Sequence, residues 1–209
     1  MTQLAEPPRA PQAAAPHRYD RDSLEFGRVV NLSDAVFAIA LTLLVLTLDG
    51  LEVAGLVSFA LAFLLVAQLW WHHHRIVAQL AWFEPGLVAL TLAVLAGVAL
   101  VPLPTSLVGA DPGAREAVLP FIGLFVILSV LVSGMILRAH RVGAWRRPLA
   151  PRLFRWIMVD WGTSLAIHCA CLAVAVWAPL AALVLLAAAS TVSGLTVTRS
   201  GPQERRAWF

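Results

Sequence analysis

The chain has 209 residues, of which 60% are hydrophobic and 13% are charged, and its mean hydropathy is +0.81. Globular soluble proteins are about half apolar, so a soluble domain of this length cannot bury so much apolar surface. The net charge of +3 comes from arginine without lysine. These arginines lie between apolar segments rather than on one face, which argues against nucleic-acid binding.

Six apolar runs are long enough to cross a bilayer core of about 30 Å, which requires about 20 helical residues. The predicted spans are Val30–Leu48, Val53–Trp71, Gly86–Val108, Ala117–Leu137, Leu153–Trp177 and Pro179–Val197. No run alternates with a period of two, so the predicted fold class is all-α: an integral membrane bundle of six transmembrane helices. We expect one membrane domain over residues 28–198, between a disordered cytoplasmic tail (1–27) and a cytoplasmic C-terminal tail (199–209).

Prolines mark two irregular points in this bundle. Pro102 and Pro104 are predicted to end or kink the third helix, because proline cannot continue the helical hydrogen-bond ladder. Pro179 follows Trp177 and Ala178 and suits the first turn of a helix, so a tight turn is predicted between the fifth and sixth spans.

The distribution of arginine predicts the orientation of the chain. With the N-terminus inside, every arginine except Arg115 falls on the cytoplasmic side. The loops on the other side carry acidic residues instead: Asp49, Glu52, Asp111 and Glu116. Both termini are therefore predicted to be cytoplasmic.

The first helix contains an aspartate, Asp34, about a turn and a half inside an apolar segment. An ionisable group at that depth is costly and marks a functional candidate. Ile39, Thr42, Leu43 and Leu46 are spaced i, i+3, i+4 and i+7, which places them on one stripe. Asp34 lies about 140° around the helix from Ile39 and should face a different neighbour.

Around these residues the sequence resembles the transmembrane protein 175 family, the endolysosomal potassium channels and their prokaryotic relatives. That family opens its first helix with arginine, three residues and Phe-Ser-Asp, then an apolar stretch with a threonine. The matching positions here are Arg28, Ser33, Asp34, Ile39 and Thr42. Leu32 stands where the family usually has phenylalanine. Further matches occur late in the second and third predicted helices: Trp70, His73, His74, Arg75, Pro102 and Thr105.

The resemblance implies a passive, potassium-preferring cation channel in a bacterial plasma membrane. Relatives with a single six-helix unit are homotetramers, and their first helices line a central pore closed by rings of aliphatic side chains. By position, those rings would be Ile39, Leu43 and Leu46, with Thr42 contributing to selectivity. The expected partners are the lipid bilayer, potassium and other monovalent cations, without a cofactor. Without the family match, the periodicity of this stripe would indicate ordinary packing.

Polar residues at one end of the first two helices are predicted to form a structural network. Its members would be Arg28, Ser33, Asp34, Trp70 and His73, and the indole, an imidazole or a guanidinium would satisfy the carboxylate. Three consecutive histidines, His72 to His74, fan out by about 100° each and cannot chelate one ion together, so no metal site is predicted.

Other function classes receive less support from the sequence. Motifs of metalloproteases, serine hydrolases, P-loop enzymes and dinucleotide-binding enzymes are absent, so an enzyme is not expected. The main alternative is a proton-coupled secondary transporter that uses Asp34, Asp160 and His168, although no internal repeat of the kind found in many transporters is detectable. A scaffold that conducts no ions is the third possibility.

Overall fold

The computed structural model describes the backbone of residues 18–199 and the side chains of residues 18–192. Within that range the chain is predominantly helical. The helices in chain order are α1 (Leu24–Leu43), α2 (Val53–Ala78), α3 (Pro85–Leu100), α4 (Pro102–Ala110), α5 (Arg115–Val142), α6 (Pro151–Ala175) and α7 (Pro179–Arg199). A 3₁₀ segment, Leu44–Thr47, continues α1, and two short strands, β1 (Tyr19–Asp20) and β2 (Trp82–Phe83), pair antiparallel.

Apolar helices of membrane-spanning length account for most of this bundle. By length and composition, five segments among the described residues could cross a bilayer: Leu24–Thr47, Val53–Ala78, Pro85–Ala110, Arg115–Val142 and Pro151–Ala175. A further apolar stretch, Pro179–Val192, lies in α7. Each of the six predicted spans therefore coincides with a helical segment, and the protein is a multi-pass helical membrane protein.

Residues 18–27 are ordered, so the prediction of a disordered tail is wrong for this part; residues 1–17 lie outside the described range. Arg21 Nη1 donates hydrogen bonds to the carbonyl oxygens of Ala78 and Leu80, both at 3.0 Å. Ser23 caps α1 by accepting a hydrogen bond from the amide of Phe26 at 3.2 Å. These contacts are long-range or depend on a polar cap, neither of which hydropathy detects.

The irregular points predicted from proline are confirmed. The third predicted span is broken into α3 and α4 at Val101, immediately before Pro102. Helix α6 ends at Ala175, and a tight turn leads into α7 at Pro179, with the Ala178 amide donating to the Val174 carbonyl at 2.8 Å.

Burial divides the bundle into an inner part and an outer hairpin formed by α6 and α7. The buried core lies among α1, α2, α3 and α5, while α4 packs against α2 and the 3₁₀ segment. Helix α6 packs against α5 and α7 but buries only Cys171 and Ala175 fully. The elements that could hold a functional site are therefore α1, which has one uncovered face, and the loosely covered α6.

Candidate functional site

Helix α1 has one face packed inside the subunit and one face that the subunit leaves uncovered. Phe37 and Ala40 are 1% and 2% exposed, whereas Ile39 is 57% and Leu46 is 75% exposed. Leu43, at 40%, belongs to the uncovered face as well. The rest of the chain therefore leaves much of each predicted constriction residue uncovered.

Polar residues share this uncovered face. Asn31 and Thr42 are both exposed and, being eleven residues apart, lie within about 20° of each other around the helix. The hydroxyl of Thr42 donates to the Ile39 carbonyl at 2.8 Å. Because this bond uses the only hydroxyl hydrogen, the Thr42 oxygen can offer only lone pairs to a neighbour.

The outer part of the stripe is 3₁₀ rather than α-helical, which corrects the predicted α-helix through Leu48. Helix α1 ends at Leu43, and Leu44–Thr47 forms the 3₁₀ turn. Side chains three residues apart eclipse each other in this geometry. Leu43 and Leu46 are consequently close to one line along the helix, which continues the aliphatic stripe past the α-helical part.

Asp34 faces the second helix, as the helical wheel predicts. Its Oδ1 accepts a hydrogen bond from the indole Nε1 of Trp70 at 3.0 Å. Asp34 is half-buried and Ile39 is exposed, so the two residues have different surroundings. Of the partners that the sequence predicts for Asp34, the one that binds it is the indole of Trp70.

The remaining members of the predicted polar network are dispersed. His73 is buried and its ring lies 5.5 Å from that of Phe37, centroid to centroid. Its Nε2 has no hydrogen-bond partner among the described residues. Ser33 is also buried, but its hydroxyl donates to the Val29 carbonyl at 2.8 Å, within α1.

Arg28 lies apart from the other members of the predicted polar network. It is exposed and forms no hydrogen bond or ion pair with any residue in the described part of the chain. Arg28 and Asp34 are six residues apart, which separates them by about 120° around α1, whereas Arg28 and Ile39 differ by only about 20°. Arg28 therefore belongs to the uncovered face, and its assignment as a partner of Asp34 is wrong.

The three consecutive histidines point to three different neighbours. The His72 ring contacts Trp161 of α6 at 5.3 Å, and the His74 ring contacts Trp70 at 5.4 Å. Together with the His73–Phe37 contact, this is the divergence that helical geometry predicts. No group of three His, Cys, Asp or Glu residues in the described range is arranged to hold a metal ion.

A second polar region lies between α2, α5, α6 and α7. Asp160 and His168 of α6 line a cavity of about 80 Å³ there, together with His72 of α2. Asp34 does not line this cavity; it is bound to Trp70 instead. The three residues considered for a proton-coupled transporter are thus not brought together.

An ion pair that the sequence analysis missed joins the start of α3 to α5. Arg138 binds Glu84 through two hydrogen bonds, Nε to Oε1 at 2.6 Å and Nη2 to Oε2 at 3.0 Å. Glu84 Oε1 also accepts from the Leu87 amide at 3.1 Å and so caps α3. The Arg138 guanidinium holds the pKa of Glu84 below its ordinary value. A glutamate directly before Pro85, at a helix start, was the available signal.

Comparison with known proteins agrees with the first-helix motif. A family model described as "Endosomal/lysosomal potassium channel TMEM175" matches residues 28–102. A potassium channel of Streptomyces collinus is 34% identical over 97 residues, covering 40% of this chain and 47% of the relative. A potassium channel of Chamaesiphon minutus is 32% identical over 128 residues, covering 52% of this chain and 63% of the relative. The chain thus spans about half to three-fifths of the length of these relatives.

The fold is similar to that of a solved channel structure. The crystal structure of a lysosomal potassium-selective channel TMEM175 homolog from Chamaesiphon minutus matches with a TM-score of 0.73 and 21% identity, over 82% of this chain and 97% of that one. The fold and the uncovered helix define a multi-pass membrane protein built as a helical bundle. Over residues 28–102 the chain is similar to the transmembrane protein 175 family, and the relatives named above are potassium channels.

Proposed function

We propose that the chain is a passive, potassium-preferring cation channel, a homotetramer in which α1 of each subunit lines a central pore. The observation that carries the proposal is the mixed character of the uncovered face of α1. Lipid could cover Ile39 and Leu46, but Asn31, Thr42 and Arg28 share their face, and polar groups in spanning helices usually turn to protein or water. A stripe of this kind suits helices that meet around a hydrated axis.

The constriction in this proposal consists of aliphatic rings from Ile39, Leu43 and Leu46. Four copies of a large apolar side chain around one axis can close a pore by excluding water. Thr42 lies beside the first ring, and its oxygen presents lone pairs because the hydroxyl hydrogen is donated to Ile39. Such oxygens can replace part of the hydration shell of an ion, and potassium releases water more readily than sodium.

Acidic residues at the Leu46 end of the stripe support cation passage. A cavity of about 550 Å³ there is lined by Leu46 and Thr47 together with the carboxylates of Asp49 and Glu52. Carboxylates at a pore entrance raise the local cation concentration. We place this end outside, because fourteen of the fifteen arginines then fall on the cytoplasmic side.

The relatives support the same ion and the same setting. Both curated relatives are named potassium channels and both are bacterial, and the solved structure is that of a channel described as potassium-selective. By similarity we propose a bacterial plasma membrane, both termini cytoplasmic, and no partner beyond further copies of the chain and the bilayer. Homotetramerisation rests on the family resemblance and on the uncovered face of α1.

The test is single-channel recording of the reconstituted protein under a potassium–sodium gradient, comparing Ile39→Asn with Ile127→Asn. Ile127 lies on α5 and is 56% exposed, almost the same as Ile39 at 57%. We expect Ile39→Asn to hydrate the neck, which raises the leak current or lowers the potassium-to-sodium permeability ratio, and Ile127→Asn to leave both unchanged. Equal effects of the two variants would remove Ile39 from the pore.

A proton-coupled transporter receives less support, because Asp34 lies apart from Asp160 and His168. The two functions differ in transport behaviour. Saturable, proton-dependent flux without unitary currents would favour the transporter over the channel. Absence of ion flux in a liposome assay would favour a scaffold that conducts no ions.

A further inference from the structure

The cavity between α2, α5, α6 and α7 is lined by a carboxylate at an unusual depth. Asp160 lies about 14 Å along the axis of α6 from Pro151, well inside the spanning segment. It forms no hydrogen bond or ion pair with any described residue. Ionisable groups at such positions normally face a partner or a polar cavity, and Asp160 lines one.

Both histidines of the cavity expose an acceptor rather than a donor. His72 Nδ1 lies 2.8 Å from the Gln68 carbonyl oxygen. A carbonyl has no hydrogen to give, so Nδ1 carries the proton, and Nε2 of the neutral ring is left as an acceptor. His72 Nε2 bonds no other residue in the described range, and His168 also forms a hydrogen bond with the Ser164 backbone.

The tautomer of His168 follows from the hydrogen bonds of Ser129. His168 Nδ1 lies 3.1 Å from Ser129 Oγ, and the Ser129 hydroxyl already donates to the Phe125 carbonyl at 2.8 Å. The single hydroxyl hydrogen is therefore used, and His168 Nδ1 must be the donor of the bond between the two side chains. Its Nε2 is again an acceptor.

The other polar groups of the lining include both acceptors and donors. Ser190 donates its hydroxyl hydrogen to the Leu186 carbonyl at 2.7 Å, and Gln68 Nε2 donates to the Ser190 carbonyl at 3.0 Å. Ser164, the indole N–H of Trp161 and the second N–H of Gln68 Nε2 retain donors. Arg75 acts electrostatically on His72 but does not line the cavity. A cavity with one carboxylate, two imidazole acceptors and no lining cation favours a ligand with positive charge and N–H donors.

Size and walls restrict the ligand further. A volume of about 80 Å³ is several times the roughly 10–15 Å³ that one water needs by a comparable measure, so the cavity has room for a small organic ion. Phe125 and Trp161 contribute aromatic walls, which attract cations through their ring faces. We propose that this cavity binds a small primary ammonium ion, held by Asp160 with His72 and His168 accepting its N–H groups. The proposal is independent of the pore.

The experiment titrates ethylammonium chloride into the full-length protein in lipid nanodiscs at constant ionic strength. Ring-¹⁵N histidine NMR is the readout, and the signals lost in His72→Gln and His168→Gln assign the two rings. We expect saturable shifts of these two signals, and no such shifts with tetramethylammonium, which lacks N–H donors. Equal saturable shifts with potassium or tetramethylammonium would overturn the donor argument.

Variants then locate the site. Asp160→Asn should raise the dissociation constant at least about tenfold, because a charge-assisted hydrogen bond is lost. Asp111→Asn is the matched control, because it removes a carboxylate that is also exposed but lies outside the cavity. Ala189→Leu, which fills the cavity without changing a polar group, should abolish binding. If the ring signals do not respond to ethylammonium in the wild-type protein, or if Asp160→Asn and Ala189→Leu bind as the control does, the proposal is wrong.

Discussion

The hydrogen bond between Trp70 and Asp34 allows a quantitative test of how α1 is held against α2. Trp70→Phe removes the indole N–H that reaches Asp34 at 3.0 Å. A hydrogen bond to a charged group contributes about 1.5–3 kcal/mol net. Because Asp34 is half-buried, and water can partly replace the lost donor, we expect a loss near the lower end, about 1.5–2 kcal/mol. That corresponds to roughly a tenfold to thirtyfold lower folded-to-unfolded ratio.

The assay is equilibrium unfolding in mixed micelles, as a double-mutant cycle of Trp70→Phe, Asp34→Ala and the double variant. Trp71→Phe is the control, since Trp71 is the adjacent residue, 48% exposed, and its ring is the neighbour of Trp70 at 6.1 Å. We expect a coupling energy above about 1 kcal/mol, which exceeds the error of additivity for independent sites. A coupling energy below about 0.5 kcal/mol, or an equal loss of stability in Trp71→Phe, would show that the Trp70–Asp34 bond does not hold α1 against α2.

Three further predictions concern residues at other positions. Thr42→Ala should lower the potassium-to-sodium permeability ratio, because it removes the oxygen beside the first aliphatic ring; an unchanged reversal potential would exclude Thr42 from selectivity. Arg28→Gln should leave thermal stability unchanged, since Arg28 has no partner in the described subunit, but should alter conductance; destabilisation like that of Asp34→Ala would return it to the polar network. The Glu84 ion pair should stabilise the protein at neutral pH and lose this effect as the pH falls below about 4.5, because the folded-state pKa of Glu84 is lowered. Glu84→Gln should therefore flatten the acid limb of a plot of melting temperature against pH, and an identical limb in both proteins would contradict this sign.

The sequence predicts the helices well because their signals are local. Hydropathy finds each spanning segment, and the break at Val101 follows from Pro102 alone. The direction of Asp34 is also local, because residues five apart on a helix have a fixed angular relation to Ile39. These features need no knowledge of the neighbouring helices.

Features that depend on distant contacts are not visible in this way. The order at residues 18–27 depends on Arg21 reaching carbonyl groups nearly sixty residues away. Proximity in sequence suggests Arg28 as a member of the polar network, yet its angular position, about 120° around α1 from Asp34, places it on the uncovered face. The cavity near Asp160 requires four helices to converge, and hydropathy contains no information about which helices are neighbours.

Helix α2 separates the two polar regions and belongs to both. Trp70 bonds α1 on one side, and His72, two residues later and about 200° around the axis of α2, lines the cavity on the other. A rigid helix cannot turn one of these side chains without turning the other. Any rotation of α2 that moves His72 away from α6 must also shift the indole that binds Asp34, so α6 and α1 are mechanically connected through a single helix.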